Sequence, residues 1–133
     1  MPLAAYEDLS SFKLYFSDTG LFNSRLQLTK QSLAAARQYM GALTENYVAI
    51  QLKANGYKLN YWTSTATAEV DFVIVQNGEV VPIECKANIH VKSKSLDSFV
   101  KRYGIKQSIR LSMRNFGFEN NIKSVPLYAV FCV

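Results

Sequence analysis

Two carboxylates and a lysine, Asp71, Glu84 and Lys86, stand in apolar runs on either side of Asn77-Gly78. Asn-Gly between such runs predicts a β-hairpin with a two-residue turn. The turn pairs Gln76 with Glu79, and the register that follows sets Asp71 opposite Glu84 and Glu69 opposite Lys86, unless a bulge intervenes. Strand alternation puts Asp71 with Val73 and Val75, and Glu84 with Val80 and Pro82, on a largely apolar face that Lys86 shares. Cross-strand Cβ atoms lie only about 4.5–5.5 Å apart, so two acids there must share a proton or a cation. A hard divalent ion, Mg²⁺ or Mn²⁺, suits clustered carboxylate oxygens.

Those residues need a scaffold. The expected hairpin spans 68–87. Before it, residues 32–55 predict a helix, through Ala34-Ala35-Ala36 and a stripe of Ala36, Met40, Leu43, Tyr47, Ile50 and Ala54. A second stripe, Ala42, Glu45, Ala49 and Leu52, contains one charge, and Glu45 carried toward the interior requires a partner. Phe12 to Phe16 predicts a strand, Ser17 to Gly20 a turn, and Tyr57 to Thr63 an aromatic strand. After the hairpin, Leu96, Phe99, Val100 and Tyr103 mark a short helix capped by Ser95 and ended by Gly104. Ile105 to Ser112 and Val125 to Val133 predict strands, with 113–124 as loop. The order strand, helix, three strands, helix, two strands argues for an α/β fold with a mixed sheet.

The 133 residues suit one domain. No apolar run is long enough to span a bilayer and no signal peptide opens the chain, so a cytoplasmic protein is expected. Cys85 and Cys132 sit in apolar runs, as buried free thiols of a reducing compartment do. His90 is the only histidine, and there is no zinc spacing. The net charge of +5 is uneven. Residues 1–85 hold six basic against eight acidic side chains, and residues 86–133 nine against two. The basic third suits a polyanion such as DNA, with solubility as the simpler explanation.

Glu45, Asp71 and Glu84-Cys85-Lys86, in that order, resemble the PD-(D/E)XK nuclease superfamily. Phe12 to Leu21, Leu43-Thr44-Glu45-Asn46, Tyr61-Trp62, Glu69 to Phe72 and Pro82 to Lys86 resemble one prokaryotic family more closely. It is the domain of unknown function that follows an AAA-type ATPase module in predicted ATPases. The resemblance covers nearly the whole chain. It departs from the superfamily pattern at Val70, which stands where the proline before the first acid is expected. It implies a restriction-endonuclease-like fold, with an αβββαβ core at 32–133, an N-terminal extension at 1–31, and extra N-terminal and C-terminal strands.

The resemblance also implies roles. Asp71 and Glu84 would ligate Mg²⁺ (or Mn²⁺), Glu45 would complete the acidic site, and Lys86 would stabilise charge on a phosphate and orient the attacking water. Among these acids Lys86 stays protonated, which favours an electrostatic role over that of a strict base. Glu69 would support Lys86. Lys92, Lys94 and Lys101 would contact the nucleic-acid backbone, with a solvated face as the alternative. DNA, an ATPase module in cis or in trans and a second copy of the chain are the implied partners, with no membrane. No Gly-x-x-x-x-Gly-Lys-Ser/Thr loop occurs, so the chain has no Walker ATP site and is expected to be a fragment of a larger ATPase or to act with one. A silent nuclease fold serving as a binding, regulatory or interaction module is the alternative to an active enzyme.

Overall fold

The computed structural model describes residues 3–27, 29, 37–64, 67–88 and 94–133. A single 3-10 turn, Leu3–Tyr6, precedes helix α1, Thr19–Arg25. Helix α2 is Arg37–Ala54, followed by strands β1, Asn60–Thr63, β2, Glu69–Gln76, and β3, Glu79–Cys85. Helix α3, Lys94–Tyr103, leads to β4, Ser108–Ser112. Strands β5, Gly117–Glu119, and β6, Ile122–Pro126, follow, and a 3-10 helix, Leu127–Cys132, ends the described chain. The fold is α/β. Among the described residues six strands form one mixed open sheet in the order β1-β2-β3-β4-β6-β5. β2 runs antiparallel to both β1 and β3, β4 runs parallel to both β3 and β6, and β5 is antiparallel to β6.

The hairpin forms where Asn77-Gly78 places it. Asn77 and Gly78 have φ of 52° and 79°, the two positive values that a type I′ turn requires. Pairing runs as expected from Gln76↔Glu79 to Phe72↔Ile83. Alternation then divides the core. Phe72, Ile74, Val81 and Ile83 pack against Val48, Ala49 and Leu52 of α2 and against Ile109 and Leu111 of β4. Val73 and Val80 pack on the other side, with Leu96 and Phe99 of α3. The two helices thus cover opposite faces of the sheet.

Several expectations need correction. Phe12 to Phe16 is extended but belongs to no strand: Lys13 and Tyr15 turn inward, while Phe12 and Leu14 are exposed without a neighbouring strand. The expected turn at Ser17 to Gly20 opens α1, because the Asp18 side chain accepts the Leu21 N–H at 2.9 Å and caps the helix. Residues 32–36 of the expected first helix lie outside the described residues. On α2 the core-facing stripe is Val48, Ala49 and Leu52, in line with Glu45, while Ala42 and Ala54 are exposed. β1 begins only at Asn60. The expected loop at 113–124 contains β5 and the start of β6, joined by Asn120-Asn121 with φ of 52° and 61°. The expected C-terminal strand stops at Pro126. Beyond it Ala129 and Val130 are buried while Tyr128 and Phe131 are exposed, a pattern that no two-residue period produces. Both cysteines are free thiols, but Cys132, at the end of the last 3-10 helix, is exposed where burial was expected. Among the described residues no helix is long and apolar enough to cross a membrane.

Candidate active site

The hairpin ladder stops one pair short of the acids. β1 pairs Asn60 with Val73 but Trp62 with Val70, so Asp71 and Phe72 stand against the single residue Tyr61. This is a β-bulge in β2. Its effect shows in packing, since Val70 and Val73, an odd number of residues apart, share one hydrophobic cluster. Simple alternation therefore does not tie Asp71 to the face of Val73 and Val75, which corrects the sequence expectation. The Asp71 Oδ2 instead accepts the Cys85 N–H at 2.7 Å, a donor that an unbroken ladder would have bonded to a β2 carbonyl.

Glu84 is 3% exposed. Its Oε1 takes the Lys86 ammonium at 2.5 Å, and its Oε2 is buried with no hydrogen-bond partner among the described residues. Burial works against the Lys86 ammonium, but the Glu84 hydrogen bond and the charges of Glu84 and Asp71 outweigh it and hold its pKa above the ordinary lysine value. Lys86 is thus a fixed cation. Burial, and after it the Glu84 charge, lift the Asp71 pKa from 3.8 to about 6, against the pull of the Cys85 N–H. Burial and the surrounding carboxylates also push the Cys85 thiol well above its usual range, so it stays a thiol.

Glu45 reaches the site from α2. Its Oε1 accepts from the Lys13 ammonium at 2.8 Å and from the Tyr15 hydroxyl at 2.7 Å. Lys13 also bonds Glu69 and lies over the Tyr61 ring, 5.2 Å from its centre. Burial disfavours the Lys13 charge, yet the bonds to Glu45 and Glu69 hold its pKa above normal. Burial, and then the bond to Glu45, drive the Tyr15 hydroxyl far above its usual value, so it remains a donor. Asn46, next along α2, accepts the Phe16 N–H at 2.7 Å and donates to the Phe16 carbonyl at 3.3 Å, which clamps the segment in place.

The structure therefore joins Asp71, Glu84 and Lys86, with Glu45 in electrostatic contact with Asp71. It adds Lys13 and Tyr15, which the sequence reading missed. A lysine inside an aromatic run, two residues from a tyrosine on the same side, was the available signal. Glu69 does not face Lys86 as expected. It pairs with Lys13, and its N–H is donated to the Ser95 hydroxyl at 3.4 Å. Lys94 and Lys101 lie exposed on α3, and Lys92 is outside the described residues. Ser95 does not cap α3, which already includes Lys94. Trp62 packs edge-on against Phe99 and donates to the Tyr103 hydroxyl at 3.1 Å. A cavity of about 730 Å³, walled by Tyr61, Trp62, Phe99 and Lys13 among others, opens beside Asp71.

Among the described residues no group of three or more Asp, Glu, His or Cys side chains is arranged to hold a metal. Glu45, bound by Lys13 and Tyr15, is not gathered with the other two acids as a third ligand. Asp71 and Glu84 remain, and the Glu84 Oε2 is a buried oxygen with a lone pair to give. Magnesium is commonly held by one or two carboxylates, with waters and substrate phosphate filling the rest of its shell, so the pair fits such an ion.

A family model described as a domain of unknown function (DUF4143) matches residues 40–130. The chain belongs to that family. The matched span includes Glu45, Asp71, Glu84 and Lys86. No curated protein and no solved structure matched the chain.

Proposed function

We propose that this DUF4143 domain is a metal-dependent phosphodiesterase acting on DNA, built on a restriction-endonuclease-like fold. The observation that carries the reading is Glu84: a buried carboxylate with one oxygen on Lys86 and the other without a protein partner, beside a second carboxyl whose ionisation is held back. A buried carboxylate oxygen left without a partner is costly, and functional sites are where such costs are kept. The element order from α2 to β4, helix, three antiparallel strands, helix, parallel strand, supports the fold assignment.

In this reading Asp71 and Glu84 hold Mg²⁺ or Mn²⁺. When bound, the ion supplies a nucleophile at neutral pH and charge neutralisation on phosphate. Lys86 donates from a fixed ammonium to a phosphate oxygen as negative charge grows there. Cys85 positions Asp71 through its N–H. Association with an AAA-type ATPase module, pairing with a second copy and a cytoplasmic setting belong to the same proposal. A second reading, a silent nuclease fold used as a binding or regulatory module, draws support from Lys13 and Tyr15, which occupy Glu45.

The test is incubation of plasmid and single-stranded DNA with Mg²⁺ or Mn²⁺. Cleavage by the wild type that is lost in both Asp71→Asn and Lys86→Ala supports hydrolysis. Cleavage undiminished in both variants points to a contaminating nuclease and overturns the assignment to this site, and no cleavage by the wild type alongside saturable DNA binding favours the silent module.

A further inference from the structure

Arg110 has no place in the site as described, yet it shares the anomaly of Glu84. The two residues are direct partners in the parallel ladder between β3 and β4. Ile109 and Leu111 point into the core on the α2 side, so alternation turns Arg110 to the opposite face. Ile83 and its cross-strand partner Ile109 share that core, so Glu84 turns with Arg110. The Arg110 Nε is buried and, like Glu84 Oε2, has no hydrogen-bond partner among the described residues. No ion pair forms between the two side chains within 4.0 Å, although they are neighbours of opposite charge; Glu84 is bonded to Lys86 instead.

Two buried polar atoms left unpaired on adjoining residues point to something that both would bind. Arginine presents a planar fork matched to two oxygens of a phosphate, and the Nε edge is one side of that fork. A carboxylate oxygen repels phosphate unless a cation lies between them. Resting on the hydrolytic reading, we infer that Arg110 is a substrate-binding residue that grips a phosphate of the bound strand next to the group held at Glu84. The neighbouring position on β6 is Ser124, in register with Arg110, so the row of partners across three strands is acid, guanidinium and hydroxyl.

The test uses Arg110→Met, which keeps length and removes the donors, and Arg110→Lys, which keeps the charge and removes the fork. Binding of a short fluorescent single strand with phosphorothioate linkages, which resist cutting, is followed by anisotropy over a range of salt with Mg²⁺ present, beside a thermal melt. The expected result is weaker binding by Arg110→Met, a salt dependence shallower by about one phosphate contact, partial recovery in Arg110→Lys, and a melting temperature equal to or above wild type. A purely structural partner of Glu84 behaves in the opposite way: Arg110→Met melts earlier, and its binding and salt slope match wild type. That result, or a wild type that binds no strand, overturns the assignment. Loss of binding in Arg110→Met with a wild type that binds but never cleaves overturns the hydrolytic reading while leaving Arg110 as a phosphate contact.

Discussion

Replacing Asp71 by Asn should make the protein more stable at neutral pH. An Asp71 carboxyl with a pKa of about 6, against 3.8 when free, is ionised at pH 7.5 at a cost of about 3 kcal/mol. The sign follows from proton counts. Between about pH 4 and pH 6 the folded state holds a proton that the unfolded chain has released, so wild-type stability falls as pH rises through that window and then levels off. The amide of the Asp71→Asn variant has no charge to bury, and its side-chain oxygen still accepts the Cys85 N–H. The gain at pH 7.5 should therefore approach 3 kcal/mol, roughly 10 °C in melting temperature for a chain of this size, and should shrink toward zero by about pH 4. Urea titrations of both proteins at several pH values read this directly. Equal stability at pH 7.5, or a difference that does not close on acidification, would refute the claim that Asp71 is an acid held ionised against its surroundings.

Other outcomes follow from the same geometry. Lys13→Met leaves Glu45 and Glu69 without their shared cation and should lower stability by about 1–3 kcal/mol, as seen in denaturant titration. Tyr15→Phe removes one bond to Glu45 and should cost about 1.5–3 kcal/mol, less as water replaces the hydroxyl. Gly78→Ala meets no atom within 4 Å of the added carbon, so the expected loss, about 1–2 kcal/mol, comes from the left-handed backbone alone. Leu111→Ala, in the fully buried layer under α2, should cost about 2–5 kcal/mol and serves as the control for a plain packing defect that metal does not rescue.

The hairpin was legible because its turn is a local matter. Asn77-Gly78 fixes the φ angles, the angles fix the register, and the register holds through five residue pairs to Phe72 and Ile83. The acids lie beyond that point, where a bulge defined by β1 takes over. Nothing local to Glu69-Val70-Asp71-Phe72 signals that Tyr61, on another strand, will face two residues instead of one. The inward turn of Lys13 and Tyr15 was equally hidden, because its cause is Glu45 and Asn46 some thirty positions away. The stripe of Ala42, Glu45, Ala49 and Leu52 pointed to Glu45 turned inward and in need of a partner, against an exposed helix edge as the alternative, without showing which partner. The C-terminal run was misread for a different reason: apolar residues without a period fit a buried strand and a packed 3-10 turn equally well.

Charge balance links these details. Glu45, Glu69, Asp71 and Glu84 form one electrostatically connected set with Lys13 and Lys86, since Asp71 responds to Glu84, Glu45 and Lys13, and Lys86 responds to Glu84 and Asp71. With every group ionised these six side chains carry two negative charges in excess, and the Arg110 guanidinium, ladder neighbour of Glu84, offsets one of them. Burial first, and then the charges of Glu84 and Glu45, favour a proton on Asp71, whose pKa is raised accordingly. A single divalent cation would neutralise the excess that remains. Binding Mn²⁺ at pH 6 should then expel the Asp71 proton, so metal affinity in titration calorimetry should weaken as pH falls below about 6 and the released proton should appear as a buffer-dependent heat. Affinity independent of pH between about 5 and 7.5 would place any bound metal away from Asp71, and with it the chemistry assigned to this pair of acids.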